Sequence, residues 1–502
     1  MLSITGKDRI RRHGKEGGRS RRRAPDLASI HVDWRILGFA LVGLLLLAPL
    51  PLGSNRPWSW SLLALLVAFV FLAGALVKTD RASEARLARA VPLAARYCFL
   101  GVCGWAFIQS LPLGLTSLAH PGWQRLAAVG LETTSLIGLD ANGTREALMR
   151  LMSYGAVFWL ASRLALDRAR ALFMSYGVIA IATIFAFYGL ANHFLGLEWI
   201  VPGVPRQSIA RLQSTFINPN NFATYANIAL VSAIAFAASP LFSRDNAGRA
   251  GFRLTAKAVA SPRVAFLSLA IPLLAFASLL TGSRGGLLSL AGTLAFFSLL
   301  VVFRAGNPLW IRLLVPAGLF ALFGGVLVVS GDYSLARLGR GLGIGDTRLA
   351  MYDITLQMIA DRPWLGHGYG NFEAAFLAYR DGRLPLLVDK AHNTYLEHMA
   401  ELGLPATLLL HAGIAIILAR IVSGFRNRRR DRVFALAALL SAMVAGLHSL
   451  VDFSLQIPAV AVTFATVLGI GAAQSVSSRT PVVLLADDDD DGQRNQRSQP
   501  AS

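Results

Sequence analysis

The chain has 502 residues, of which 54% are hydrophobic and only 15% are charged, and its mean hydropathy is +0.53. A soluble protein of this length would carry about 25% charged residues, so the composition excludes an ordinary soluble enzyme and indicates an integral membrane protein. The net charge of +20 does not indicate nucleic acid as a partner, because Lys and Arg gather in short connections between apolar runs, as in membrane topology signals.

The chain order predicts a basic tail followed by a membrane domain. Residues 1–33 are polar and basic, and no cleavable signal peptide follows them, so we expect a retained cytoplasmic tail. Twelve apolar runs of about 20 residues come next. They predict an all-α polytopic membrane protein whose transmembrane domain covers 34–476. The runs span 34–53, 58–77, 92–111, 146–166, 171–195, 221–241, 263–282, 285–303, 313–330, 399–420, 433–455 and 458–475.

The basic residues also predict an orientation. If the N-terminus is cytoplasmic, every even-numbered connection is cytoplasmic too, and each of these connections is rich in Lys or Arg. These connections contain the basic segments 78–89, 168–170, 244–263, 304–312 and 426–432. Both termini are therefore expected in the cytoplasm, and a long periplasmic loop is expected at about 331–398. The last segment, 477–502, holds five consecutive Asp residues and is predicted to be a disordered, solvated cytoplasmic tail.

Several arginines fall in the predicted outer connections, against the positive-inside bias. They are Arg206, Arg211, Arg284, Arg337, Arg340 and Arg348. Arginines near helix ends can reach lipid phosphates, and this explanation suits Arg337 and Arg340. It suits Arg284 poorly, because Arg284 is flanked by glycines in the short break "TGSRGG". Several guanidinium groups around one outer cavity predict a site for phosphate or pyrophosphate.

The segment "NPNN" at 218–221 is a turn and helix-start signal. We expect Asn220 or Asn221 to cap the sixth helix, which leaves other amides, such as that of Asn218, to bind sugar hydroxyls or phosphate. The glycine runs "GRGLGIGD" and "GHGYGNF" lack the strand and helix of a dinucleotide site. They are predicted to be turns that shape the long outer loop.

The stretch "HNTYLEHMAELGL" at 392–404 overlaps the start of the tenth predicted helix. On a helix, Asn393, Glu397 and Glu401 would form one stripe, with His392 on a different face. The stretch could be the solvated first turn of a helix or a reactive site. We favour the solvated turn for His398 and chemistry for His392, because an imidazole can accept a proton near neutral pH.

These patterns resemble the bacterial O-antigen ligase and polymerase family. His392-Asn393, nine residues and then Gly403 are similar to the family pattern H-[NSQ]-x9-G-x-x-G, with Ala406 in place of the final glycine. "STFINPNNFA", "TGSRGG", Arg348 ahead of "DRPWLGHGYGNF", and "HSLVDF" are similar to other family landmarks and follow the family order. The resemblance runs from about 200 to 460.

The resemblance implies a glycosyltransferase of the bacterial inner membrane that works at the periplasmic face without a metal, a nucleotide sugar or another cofactor. It implies transfer of a glycan from undecaprenyl pyrophosphate to a hydroxyl of another glycan or of lipid A-core. Arg284 and Arg348 would neutralise the pyrophosphate, and His392 would activate the acceptor. Membrane lipids, a flippase and chain-length or export proteins are the expected partners. The expected substrate contacts are Arg211, Asn218, Asn220, Asn393 and Glu401, although Glu401 lies deep enough along its helix to orient helices instead.

Several functions remain open from the residues alone. Within the family the chain could be an O-antigen ligase, an exopolysaccharide or O-antigen polymerase, or a protein O-glycosylating enzyme. A transporter or flippase for anionic solutes or lipid-linked sugars is the alternative from another class, and discontinuous helices with charges at the membrane midplane would favour it. Charge at helix ends and in one long outer loop favours chemistry at that face. A scaffold would give the outer arginines no role.

Overall fold

The structure, a computed structural model, covers the predicted membrane domain with a few gaps. Both predicted tails, except residue 477, lie outside the described residues, as does the part of the predicted outer loop that holds Arg337 and Arg340. The described residues are 34–131, 135–206, 210–242, 261–304, 307–329, 343–382, 384, 387–428 and 430–477.

The described chain is built almost entirely from α-helices, joined by a small antiparallel hairpin of β1 (Trp199–Val201) and β2 (Val204–Pro205). The helices, in chain order, are α1 Trp34–Leu47, α2 Pro57–Leu76, α3 Arg81–Ala90, α4 Leu93–Gln109, α5 Pro121–Ala128, α6 Ala141–Leu164, α7 Arg168–Phe194, α8 Pro219–Ala237, α9 Pro262–Leu280, α10 Arg284–Val302, α11 Leu309–Val329, α12 Gly343–Asp361, α13 Phe372–Phe376, α14 Thr394–Leu402, α15 Leu404–Asn427, α16 Arg432–His448 and α17 Pro458–Gln474.

Each of the twelve predicted apolar runs overlaps a long helix, namely α1, α2, α4, α6 to α11 and α15 to α17. By length and composition, five helices in the described part of the chain can cross a membrane: α2, α7, α9, α10 and α15. A sixth span results if α3 and α4, which meet at 69°, count as one broken span. The structure therefore shows a helical membrane protein with several candidate spans, and the count of twelve stays a prediction.

The core of the bundle lies around α8, α16 and α17. Nearly every residue of α17 is buried, and this helix packs against α6 and α16. A Cβ added at Gly469 in α17 would lie 2.6 Å from the carbonyl oxygen of Phe158 in α6, so only glycine allows this close approach. In contrast, α2 and α15 leave large apolar side chains such as Phe69 and Leu408 exposed, as expected for surfaces that face lipid.

Two helices begin where the sequence signals predict, but one cap is different. Ser283 caps α10 by accepting a hydrogen bond from the Gly286 N–H at 3.2 Å, which confirms the tight break before Arg284. The cap of α8 is Asn218, whose Oδ1 accepts from the Asn220 N–H at 2.9 Å. The prediction that Asn220 or Asn221 caps this helix is therefore wrong. Pro219 occupies the first helical position, where its missing N–H is not needed, so the residue before it is the cap.

The tenth apolar run is interrupted, so the predicted helix start at 399 is also wrong. The chain forms the short helix α14, turns at Gly403 with φ +78°, and then starts α15. A Cβ at Gly403 would lie 2.5 Å from the carbonyl oxygen of Trp364. The N–H groups of His367 and Gly368 bond to the carbonyls of Ala400 and Glu401, at 2.9 and 3.0 Å. The "GHGYGNF" loop thus crosses the end of α14 and satisfies its last carbonyls, which confirms the prediction that this run forms turns. The last four residues of "GRGLGIGD", 343–346, instead begin α12, so the prediction of turns is wrong there.

Candidate functional site

His392 lies in the turn that leads into α14. Its backbone is in the left-handed region at φ +51°, and its carbonyl accepts a hydrogen bond from the Tyr352 hydroxyl at 3.1 Å. The imidazole packs edge-on against the Phe453 ring, with the ring centroids 5.0 Å apart, and its side chain is 25% exposed. The next residue, Asn393, caps α14 by accepting from the N–H groups of Tyr395 and Leu396. His392 is therefore held at a helix entrance with part of its ring accessible.

A buried carboxylate faces this imidazole. His392 Nδ1 lies 3.5 Å from Asp452 Oδ1, and the Asp452 side chain is 1% exposed. Asp452 also accepts hydrogen bonds from the Ser454 hydroxyl and, at 3.3 Å, from the Asn220 amide. Burial alone would raise the pKa of Asp452, but the nearby imidazoles of His392 and His448 lower this pKa below its ordinary value. Asp452 is therefore ionised at neutral pH and can orient the His392 ring.

Arg211 is joined to this pair through Asn220. Its Nη2 donates to Asn220 Oδ1 at 3.0 Å, and its Nε donates to the Thr281 carbonyl at 2.7 Å, just before the break that leads into α10. Asn220 in turn donates to Asp452. The structure thus brings the predicted residues Arg211, Asn220 and His392 into one polar network around Asp452.

Arg284 and Arg348 lie beside the same network. Arg348 is close enough to act electrostatically on Tyr352 and on His448. Arg284 is the first residue of α10, and a Cβ on its neighbour Gly285 would lie 2.9 Å from the His448 ring.

The two guanidinium groups have no hydrogen bond or ion pair within the described residues, and both side chains are half-buried. Arg206 differs, because its guanidinium group donates to the carbonyls of Asn192, Leu197 and Arg211. Arg206 therefore stabilises its own loop, whereas Arg284 and Arg348 are available to bind an anion.

Sequence reasoning missed Asp452 and His448. Both lie in "HSLVDF", which was recognised as a landmark but given no role. His448 is 1% exposed and its Nδ1 lies 2.6 Å from the Thr224 hydroxyl. A His and an Asp spaced by four residues at the end of an apolar helix are a usable signal, because ionisable groups in such segments are costly and usually functional.

Other predicted site residues lie elsewhere or use their polar atoms within the fold. Glu401 is 3% exposed and its Oε1 accepts from the Phe372 N–H at 3.0 Å. Burial raises the pKa of Glu401 to about 7. Within the described residues, no contact joins Glu401 to His392 or Asp452. The side-chain oxygens of Asn218 and Asn393 serve as helix caps. Substrate contacts by these three residues stay predictions.

His398, which we expect to be structural, is partly buried. Its ring contacts the rings of Tyr369 and His411, with centroids 6.3 and 5.8 Å away. Burial lowers the pKa of His398 to about 3, and the nearby His411 and Lys390 add to this effect. His398 is therefore neutral at physiological pH.

Among the described residues, no candidate metal centre accompanies the network. In the ranges that the structure covers, no group of three or more His, Cys, Asp or Glu side chains could hold a metal ion. Cys98 and Cys103, both in α4, are free thiols.

Comparison with known proteins covers one part of the site. Residues 269–411 match a family model described as O-antigen ligase. No curated protein matches the chain. The matched segment includes Arg284, Arg348 and His392, whereas Arg211 and Asp452 lie outside it. Residues 269–411 of this helical membrane protein are therefore similar to the O-antigen ligase family, in agreement with the resemblance found in the sequence.

Proposed function

We propose that this chain, through its O-antigen ligase region, transfers a glycan from a lipid-linked pyrophosphate to an acceptor hydroxyl on the periplasmic side of the bacterial inner membrane. The observation that carries the proposal is a partly exposed His392 paired with a buried, ionised Asp452, next to two arginines without partners in the described structure. A proton acceptor and an anion site side by side are what such a transfer requires.

His392 is proposed to be the general base. The acceptor oxygen attacks the anomeric carbon of the donor sugar and forms the new glycosidic bond, while the bond from that carbon to the pyrophosphate oxygen breaks. The hydroxyl proton passes to the imidazole, and undecaprenyl pyrophosphate leaves with the electron pair. Asp452 holds the ring through Nδ1 and stabilises the imidazolium that forms. The His392 Nδ1 to Asp452 Oδ1 distance of 3.5 Å is long for a hydrogen bond, but such contacts often tighten when substrate binds.

Arg284 and Arg348 are proposed to bind the pyrophosphate. Negative charge on the leaving group grows as the bond breaks, and fixed guanidinium groups in a site shielded from water stabilise that charge strongly. Arg211 supports the same site through Asn220 and the Thr281 carbonyl. The proposed reaction uses no metal and no nucleotide cofactor.

The acceptor distinguishes a ligase from a polymerase. A ligase would use lipid A-core and a polymerase the end of another glycan, and a flippase, chain-length proteins or export proteins would be the matching partners. The purified protein in liposomes with a lipid-linked donor should form product with one of these acceptors. Movement of the donor across the bilayer without any product would instead support a transporter.

The proposal also requires the site to face outward. We expect both termini in the cytoplasm, twelve spans, and residues 331–398 outside. Reporter fusions should place 331–398 in the periplasm and 424–432 in the cytoplasm. Both segments on one side would contradict the proposed orientation.

A further inference from the structure

One carboxylate holds both residues that precede His392. Glu397 Oε1 accepts a hydrogen bond from Lys390 Nζ at 2.9 Å, and Glu397 Oε2 accepts from the Ala391 N–H at 2.9 Å. The Glu397 side chain is completely buried, whereas that of Lys390 is 24% exposed. A single buried group therefore fixes the chain on the N-terminal side of the site.

We infer that Glu397 is a positioning residue that holds the His392 imidazole in place for proton transfer. This inference rests on the proposed function, in which His392 is the base. Glu397 itself is not placed in contact with the substrate; it acts through the backbone at Ala391.

The backbone at His392 needs such support. Residues with a Cβ adopt a left-handed conformation only rarely, and His392 does so at φ +51°. On its C-terminal side the turn is fixed by Thr394, whose N–H donates to the Ser449 carbonyl at 2.9 Å and whose hydroxyl donates to the Asp452 carbonyl at 3.0 Å. On its N-terminal side the Ala391 N–H is held by Glu397. Among the hydrogen bonds of the described residues, that bond is the one that holds the backbone of this turn from its N-terminal side.

Charge explains why Glu397 is paired with Lys390. A fully buried carboxylate is costly unless a cation and hydrogen bonds compensate it, and here Lys390, the Ala391 N–H and the first turn of α14 do so. A single substitution would leave an unpaired buried charge, and the resulting instability would hide a positioning effect. The test therefore needs variants that remove both charges at once.

Two double variants separate positioning from charge. Lys390→Met with Glu397→Gln removes both charges but keeps an amide oxygen that can accept from the Ala391 N–H. Lys390→Met with Glu397→Leu removes both charges and the acceptor. A misplaced catalytic group can cost on the order of 10²-fold, so we expect the Leu variant to lose about 10- to 100-fold in kcat with an unchanged KM for the donor. The Gln variant should retain most of the turnover.

The assay is product formation by the full-length protein with a lipid-linked donor, together with a measurement of donor binding and of thermal unfolding. Glu373→Leu, which removes an exposed carboxylate in α13, controls for general effects of charge loss in this region. Equal turnover of the Gln and Leu variants, or parallel losses in donor binding and folding, would overturn the inference. His392→Ala in the same assay isolates the proposed function. If it abolishes transfer while the Leu variant is fully active, only the positioning role fails; if it retains transfer, the base role fails.

Discussion

Two pairs of side chains that each include a histidine lie outside the candidate membrane-spanning helices, and their chemistry differs. In the first, His392 faces the buried carboxylate of Asp452 and keeps part of its ring exposed. In the second, His120 Nε2 lies 2.8 Å from His367 Nδ1, and both side chains are buried. The group that faces each histidine, and the exposed fraction of its ring, distinguish a candidate base from a histidine that only stabilises the fold.

The second pair has no spare hydrogen-bonding capacity. His120 Nδ1 accepts from the Gly122 N–H at 3.0 Å, so its Nε2 carries the proton and donates to His367. His367 Nε2 then donates to the Met358 carbonyl at 2.9 Å. Burial, together with His367 and Arg362, lowers the pKa of His120 to about 3. Both rings are therefore neutral at pH 7 and join the loop after α4 to the end of α12.

The largest expected effect distinguishes the two pairs directly. His392→Ala should reduce transfer by about 10²- to 10⁴-fold, the usual contribution of a positioned general base, and should leave binding of the donor lipid largely intact. Product formation and donor binding by the purified variant check this. Retained turnover would show that another residue, or none, acts as the base.

A somewhat smaller loss is expected at the arginines beside the first pair. Arg284→Ala and Arg348→Ala should each lower kcat by about 10²- to 10³-fold, as loss of one preorganised charge donor typically does. Lys should restore only part of the activity, because an ammonium group lacks the bidentate geometry of guanidinium. Normal product from well-expressed Arg284→Ala would exclude the pyrophosphate role.

At the second pair we expect a change in stability rather than in catalysis. His120→Leu leaves the Gly122 N–H and the Nδ1 atom of His367 without their partners, which should cost about 1–3 kcal/mol of unfolding free energy, with turnover per folded molecule retained. Unfolded His120 takes up a proton below its ordinary pKa of 6.5, while the folded ring does so only near 3. Stability supplied by His120 is thus present above 6.5 and is lost as the pH falls towards 3.

Thermal unfolding at pH 7.5 and pH 5 checks both statements. The wild-type midpoint should fall on acidification, and the variant should start lower and fall less. If the variant kept the wild-type pH dependence, the interpretation that the neutral His120–His367 pair stabilises the fold would be wrong.

The smallest effect is expected at His398, whose ring is neutral at pH 7 like the rings of the second pair. Since burial holds its pKa at about 3, His398 cannot take a proton at neutral pH. His398→Ala should leave turnover per folded molecule nearly unchanged in the same transfer assay. A loss equal to that of His392→Ala would mean that the whole segment is only a helix entrance.

The local features of the site could be predicted from sequence, and its long-range contacts could not. Apolar runs located the helices because each run is a continuous property of the chain, and "TGSRGG" located the break before Arg284. Asp452 escaped assignment because it meets His392 only through the packing of α14 against the turn after α16. The break at Gly403 was missed because its cause, the Trp364 carbonyl, lies 39 residues earlier in the chain.

The central claim is that Asp452 acts through His392, and a double-mutant cycle on transfer tests it most directly. Kinetic constants would be measured for His392→Ala, Asp452→Asn and the combined variant, with donor binding recorded for each. If the two residues work as one unit, their losses are not additive, and the combined variant is no slower than His392→Ala alone. Losses that multiply across the two sites would show independent roles and contradict the account.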